Sequence, residues 1–337
     1  MDNPKISILI PAYNCAKFIR QCLSSILNQT YSNFEILISD DGSTDNTRAI
    51  IDSIDDKRIT RFHNDQNLGK NLICNSLFEN AKGDFVSVHD ADDFSHPKRF
   101  ELLLNFMELH TDYVMCGSSY YSVDEDGTNI IEGNKMETSA TKIKQNIRNE
   151  SQFHGPTLLF KRDIVPLVGG LYRYFTFGED IDFTMRVSEK YQTSNLPQFL
   201  YFYRICSNSI TKSVTNFSVD RAVTNKLRYF LSDQRQLQGQ DCLMLGDNKE
   251  IEAEKTRLIS ELDNFQVIED SVAYLLHYAM HKQAILLCFK SFYLNGPFIK
   301  YCRLLLFTFR KAFIFFVKNS LGYINYEKVD FSTDTSI

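Results

Sequence analysis

No Cys-x-x-Cys pair occurs among the eight cysteines, at 15, 22, 74, 116, 206, 242, 288 and 302. Neither a zinc knuckle nor a dithiol redox motif is indicated, and a reducing compartment is expected. No stretch approaches the roughly 20 uninterrupted apolar residues of a membrane-spanning helix. The amino terminus, Met1 to Lys5, lacks the basic, apolar, small-residue succession of a secretion signal. Together these absences predict a cytoplasmic chain. A basic excess is also missing: the net charge is -5, which argues against nucleic acid as a partner. Acidic residues in turn are absent between Ser271 and Tyr326, where Lys282, Lys290, Lys300, Arg303, Arg310, Lys311 and Lys318 stand alone. What is present is a 337-residue chain, 43% hydrophobic, enough for one large domain with an appendix or for two ordinary domains.

Hydrophobic periodicity predicts an α/β protein. Lys5 to Ile10 reads as a buried strand stopped by Pro11, and Cys15 to Asn28 carries one apolar helical face. Phe34 to Ser39 reads as a strand closed by "DDGSTDNT", with Ser43 or Thr44 capping a helix towards Ile54. A strand at Ile59 to His63, a helix from Gly69 to Ala81 and a strand at Asp84 to Val88 continue the alternation, so a mostly parallel sheet covered by helices is expected. Tyr113 to Ser122 and Thr157 to Phe160 read as further strands, Glu179 to Lys190 as a helix. The pattern becomes purely helical near Thr211, placing a boundary near 215 between a first domain (1–215) and a helical carboxyl-terminal region (216–337).

Such sheets bind ligands at the carboxyl ends of their strands, where "PAYN", "SDDGSTD" and "HDADD" all fall. Asp90, Asp92 and Asp93 stand within four positions, and carboxylates so close repel one another unless a positive charge lies between them. Mg²⁺ or Mn²⁺, which prefer oxygen ligands and diphosphates, would serve. With alternate side chains on one side of a strand, Asp90 and Asp92 face one ion. The competing explanation is a solvated acidic loop capping a helix from Pro97, with Asp93 or Ser95 as N-cap.

The blocks "ISILIPAYNCAKFIRQCLSSILNQTYSNFEILISDDGSTDNT", "NLGKNLICNSLFENAKGDF", "HDADD", "FHGPTLLFKRDIVPLVGGL" and "FGEDIDFTMRV" resemble, in order and spacing, the family 2 inverting glycosyltransferases over about residues 5 to 212. The resemblance implies a Rossmann-like GT-A fold and transfer of a sugar from a nucleotide-diphosphate donor. It implies that Pro11, Ala12 and the ring of Tyr13 hold the nucleotide base, and that Asp41 accepts the imino N–H of uracil, hence a UDP-sugar. Asp90 is implied at the ribose or donor sugar and Asp92 at Mn²⁺ or Mg²⁺. Lys70 is placed either on the donor or on an exposed helix surface. Asp180 is implied as the general base, Glu179 as the acceptor-orienting acid, with Asp182 a solvent-facing neighbour. One departure is Cys206, where many relatives carry a metal- or diphosphate-reaching His; thiol sulfur is a poor ligand for these ions. His89 and His154 could compensate, but are expected to be packing residues.

The resemblance further implies a bacterial surface-polysaccharide enzyme, building O-antigen or capsule on a polyprenyl-diphosphate-linked saccharide acceptor. The alternative is a catalytically inactive sugar-nucleotide-binding subunit. From Pro297 the chain reads as one helix to about Ser320, with Lys300, Arg303, Arg310, Lys311 and Lys318 on one side and Leu305, Leu306, Phe309, Phe313 and Phe316 on the other. That pattern predicts peripheral contact with anionic lipid on the cytoplasmic face of the inner membrane, or else packing within the chain or in a homodimer.

Overall fold

The computed structural model describes residues 5–206, 219–261, 272, 284–285, 304–311 and 324–325. The chain divides into two compact units between Ile205 and Cys206.

In the first unit, four strands, the inner three largely buried and the edge strand polar, build a parallel half-sheet. These are β1 (Ile6–Ala12), β2 (Phe34–Asp41), β3 (Ile59–Asn64) and β4 (Phe85–Val88). They are ordered β3-β2-β1-β4, with Ile8 opposite Ile36 and Ser87, and Ile38 opposite Arg61. Helices α1 (Ile19–Leu27), α2 (Thr47–Asp52) and α3 (Lys70–Glu79) connect them, as βαβ crossovers must. Ile6, Ile8 and Ile10 of β1 bury against Ile19, Cys22, Leu23 and Ile26 of α1 in the main core. Pro11 does not stop β1: the strand runs on to Ala12, with Pro11 in register with Ser39. Nor do Ser43 and Thr44 cap α2, which begins at Thr47.

The second half is mixed. β5 (Phe94–Ser95) precedes α4 (Arg99–Leu109), followed by β6 (Tyr113–Val123), β7 (Asn129–Asn134), α5 (Ala140–Asn146), a 3₁₀ turn at Gly155–Thr157, β8 (Leu159–Lys161), α6 (Ile164–Leu167), α7 (Glu179–Lys190) and β9 (Gln192–Arg204). β8 is antiparallel to both β4 and β6, β6 is antiparallel to β7, and β9 runs parallel along β6. Parallel pairing is therefore unbroken from β3 to β4, and beyond them antiparallel pairs through β8 and β7 are mixed with the parallel β6–β9 pair. β9 also pairs with β5, Phe94 opposite Phe202, bringing the end of a late strand onto the acidic turn between β4 and β5. Among the described residues all six cysteines are buried without a disulfide.

In the second unit α8 (Val219–Gln238) and α9 (Asn248–Ser260) pair, with Gln234 donating to Glu250 at 2.7 Å. Asp247 caps α9 through the N–H groups of Lys249 and Glu250. Residues 304–311 are helical; the rest of the expected 297–320 helix lies outside the described residues.

Candidate active site

Two strand ends are laced together at the mouth of the parallel half. Asn14 sits at φ 47°, and its side-chain oxygen accepts the Thr44 N–H at 2.8 Å. The N–H groups of Asn14, Cys15 and Ala16 donate to Ser43 Oγ, Thr47 Oγ1 and Asp45 Oδ2 at 2.9, 2.8 and 3.0 Å. Thr44 and Ser43 are thus used to fix the turn after β1. Beside it Ala12 is buried, Pro11 half-buried, and the Tyr13 ring stands 46% exposed, an open face for a planar ring.

Asp41 holds a neighbouring loop in place. It is buried, and its Oδ1 accepts from Asn64 Nδ2 and the Leu68 N–H at 3.1 and 2.9 Å, its Oδ2 from the Gly69 N–H at 2.9 Å. The carboxylate therefore pins the loop that leads into α3. Gly42 at φ 71° makes the turn beneath it: a Cβ there would lie 2.7 Å from Gln66 Cα.

The three acids of the β4–β5 turn have three environments. They do not alternate along a strand, because β4 ends at Val88. Nor does either Asp93 or Ser95 cap the next helix, which starts at Arg99 behind Lys98. Asp93 is buried, accepting the Tyr201 hydroxyl at 2.8 Å and the Arg204 N–H at 2.7 Å. Burial, then the charges of Asp92 and Asp90, push its carboxyl well above the usual range. Asp92 offers its carbonyl to Arg204 Nε at 2.7 Å, while burial and the neighbouring Asp90 raise its carboxyl to about 6. The Arg204 guanidinium goes on to the Glu125 carbonyl and Gln21 Oε1, at 2.7 and 2.6 Å, and stacks over Phe18. This network holds the turn rigidly from the end of β9.

Asp90 pairs with Lys70. Lys70 Nζ lies 2.8 Å from Asp90 Oδ1 and 3.7 Å from Glu179 Oε1, so the exposed-helix placement of Lys70 is corrected: it bridges the β4 turn and the start of α7. Burial pushes the Asp90 carboxyl up, but the Lys70 ammonium outweighs it and leaves the group below its ordinary value. Glu179, buried and beside Asp180, stays raised despite Lys70.

α7 starts behind Gly178, whose φ of 68° suits glycine. Asp180 is half-buried, and its Oδ1 accepts the Ile181 N–H at 2.9 Å. The side chain lies directly over Gly155, where an added Cβ would stand 2.7 Å from Asp180 Cβ and 2.9 Å from its Cγ. The turn at Gly155 is fixed by Arg99, buried at the start of α4. Its guanidinium donates to Pro156 O at 2.5 Å and to Ser87 Oγ and Ser95 Oγ at 3.0 and 2.9 Å. Asp182 is not solvent-facing: it is 1% exposed and accepts from Arg173 and from Arg186 Nε at 2.9 Å, while Arg186 also ties the carbonyls of Val168, Gly170 and Leu171. It anchors the loop before α7. Gly155 lies in the "FHGP" block and Arg204 two residues before Cys206, but their contacts, like those of Arg99, are revealed only by the fold.

The two histidines near the acids behave as packing residues. His89 is fully buried between the Asp90 carbonyl and Ser95 Oγ, and burial lowers it to about 3. His154 stacks on Tyr120 with centroids 4.0 Å apart, and burial lowers it to about 4. Cys206 is buried too. Among the described residues no group of three or more His, Cys, Asp or Glu is arranged around a metal position. Asp92 nevertheless fits a hard divalent ion: its carboxylate is crowded by a like charge, and Mg²⁺ sites commonly use one or two carboxylates plus substrate phosphates.

Residues 7–166 match the glycosyl transferase family 2 model. These residues form a family 2 glycosyltransferase domain. A glycosyltransferase of Haemophilus influenzae is 36% identical over 171 residues, which cover 50% of this chain and 66% of that protein, so the chain spans about two thirds of that relative. Among solved structures, S. aureus TarS 1-349 in complex with UDP-GlcNAc superposes with a TM-score of 0.59 at 18% identity, covering 94% of this chain and 92% of TarS. The mannosyltransferase PcManGT of Pyrobaculum calidifontis, in complex with GDP-Man and Mn²⁺, gives 0.52 at 18% identity, over 97% and 88%. The family 2 chain thus has the GT-A-type fold of both, an α/β sheet with helices around it. Among the described residues no helix is long and apolar enough to cross a membrane.

Proposed function

We propose that this glycosyltransferase moves a sugar from a UDP-sugar to a hydroxyl of a saccharide acceptor, with inversion, and that Asp180 is the base. The observation carrying this is the convergence, through Lys70, of a strand-end turn bearing Asp90 and Asp92 with the helix start bearing Glu179 and Asp180. In one displacement the acceptor oxygen bonds to the anomeric carbon, its proton passes to Asp180, and the bond from that carbon to the diphosphate breaks, releasing UDP. Glu179 beside the base orients the acceptor. The ring of Tyr13 and the backbone at Pro11 and Ala12 hold the nucleotide base. Asp41 Oδ2, with one protein donor, keeps capacity for a ring N–H. Mn²⁺ or Mg²⁺ held by Asp92 would supply positive charge to the departing diphosphate. UDP-GlcNAc in TarS supports a UDP donor, and Mn²⁺ with PcManGT supports a metal.

Residues 304–311 support a membrane-bound acceptor. Leu306, Phe307 and Phe309 are 70, 47 and 45% exposed beside exposed Arg310 and Lys311, a pairing suited to anionic lipid and to a polyprenyl-diphosphate-linked saccharide in surface-polysaccharide synthesis at the cytoplasmic face of the inner membrane. Full-length protein is expected to sediment with anionic liposomes at low salt, and a chain ending at Gly296 is not; if both ignore liposomes, the membrane assignment falls. A homodimer seated on this segment would instead appear in sedimentation velocity.

Calorimetry with UDP and GDP, with and without Mn²⁺, followed by a panel of UDP-sugars scored for UDP release, tests the core of the proposal. Preference for GDP overturns the donor. Binding of UDP without release from any UDP-sugar leaves the inactive-subunit alternative.

A further inference from the structure

We infer that Lys70 keeps the acidic turn from holding a divalent cation until a nucleotide diphosphate is present, so that cation and nucleotide bind as a pair. The inference rests on the proposed donor and on Asp92 as the ligand. Lys70 is the first residue of α3, where the helix dipole disfavours a cation, and its ammonium is only partly exposed. A residue that breaks a local rule this way points to function when a specific contact explains it. The contact is Asp90, at 2.8 Å, with Glu179 at 3.7 Å.

The ammonium divides the three acids. Asp93 is taken by the Tyr201 hydroxyl and the Arg204 N–H. Asp90 is taken by Lys70. Asp92 alone remains for a metal, one carboxylate where a divalent ion seeks about six oxygen ligands. Among the described residues no His, Cys, Asp or Glu group makes up the number. The ammonium beside it adds repulsion to any incoming dication. A diphosphate reverses both deficits, bringing oxygen ligands and negative charge together. Removing the ammonium would do something different: it would leave Asp90 and Asp92 both unpaired, a two-carboxylate site without nucleotide.

The test is Mn²⁺ binding to nucleotide-free protein, read by calorimetry and by loss of the free-ion EPR signal, with no turnover involved. Wild type is expected to bind no Mn²⁺ below about millimolar concentration, and Lys70→Met at least about tenfold more tightly. Lys70→Arg, which keeps the charge, should match wild type, and Lys70→Met with Asp90→Asn should return to it. Equal Mn²⁺ affinity in wild type and Lys70→Met overturns the inference. Should Lys70→Met not fold, the wild type still decides: micromolar Mn²⁺ binding without nucleotide overturns the proposal, and binding that appears only on adding UDP supports it. The donor is read separately. If UDP binds wild type neither with nor without Mn²⁺, the proposed donor fails, while the comparison of nucleotide-free proteins still answers for Lys70.

Discussion

Gly155→Ala should disable transfer without touching the nucleotide. Gly155 is not among the described glycines at positive φ, so alanine meets no backbone penalty there, and in open space the change would stabilise by about 0.4–1 kcal/mol through the unfolded chain. The space is not open: the new methyl would stand 2.7 Å from Asp180 Cβ and 2.9 Å from its Cγ, about 1 Å inside ordinary carbon–carbon contact. The clash cannot be relieved at the turn, because Arg99 grips the Pro156 carbonyl at 2.5 Å. Asp180 must give way instead. Overpacking of this kind costs about 1–3 kcal/mol, so a modest net loss of stability is expected. The catalytic cost is larger, since displacing a reacting group by about 1 Å lowers the rate on the order of a hundredfold. The assay is UDP release with an acceptor, alongside UDP calorimetry and a thermal melt. Expected are a rate loss on the order of a hundredfold, unchanged UDP affinity and a small drop in Tm. Because both changes act through one carboxylate, Gly155→Ala combined with Asp180→Asn should be little worse than Asp180→Asn alone. Wild-type turnover in Gly155→Ala, or full additivity in the double variant, would refute the placement of the base over this glycine.

Asp180→Asn itself is expected to lower transfer on the order of a hundredfold or more while UDP affinity holds; retained activity would move the base to Glu179. Asp92→Ala and EDTA should each stop turnover, and full activity after EDTA treatment would pass the leaving diphosphate to Lys or Arg donors. Burial lowers His154 to about 4 and His89 to about 3, so both are neutral in the fold. A depressed base contributes stability that is whole above its unfolded value of about 6.5 and is lost as pH falls through the folded value. For His154 the loss by pH 4 is on the order of 3 kcal/mol, and a His154→Phe melt series between pH 7 and 4 should slope less than wild type.

The parallel half of the fold was legible because its signals are local. Ile6 to Ile10 and Phe34 to Ser39 are apolar runs, and each acidic cluster follows its strand directly. β9 was not legible: it opens on Gln192-Thr-Ser-Asn and contains Pro197, and only its pairing along β6 makes it a strand. Asp90, Asp92 and Asp93 look equivalent in sequence; Lys70, Arg204 and Tyr201, distant in the chain, make them different. The exposed-surface alternative for Lys70 and the solvent-facing placement of Asp182 failed for the same reason, since an isolated helix does not say which side meets a neighbour. For Asp182 the i,i+4 partner Arg186 was a readable hint.

With the proposed base contact added to its hold on the 64–69 loop, Asp41 would carry two duties, and these restrict how this enzyme can evolve. A change of base preference ordinarily needs only a new side chain in the pocket. Here the same carboxylate fastens Leu68 and Gly69, the residues just ahead of Lys70. Replacing it to admit another base would loosen the bridge between the donor turn and the acceptor helix at the same stroke. A change of donor base must therefore pass through Tyr13, or be accompanied by a second substitution in the 64–69 loop, and a library built at position 41 alone should return inactive proteins rather than altered specificity.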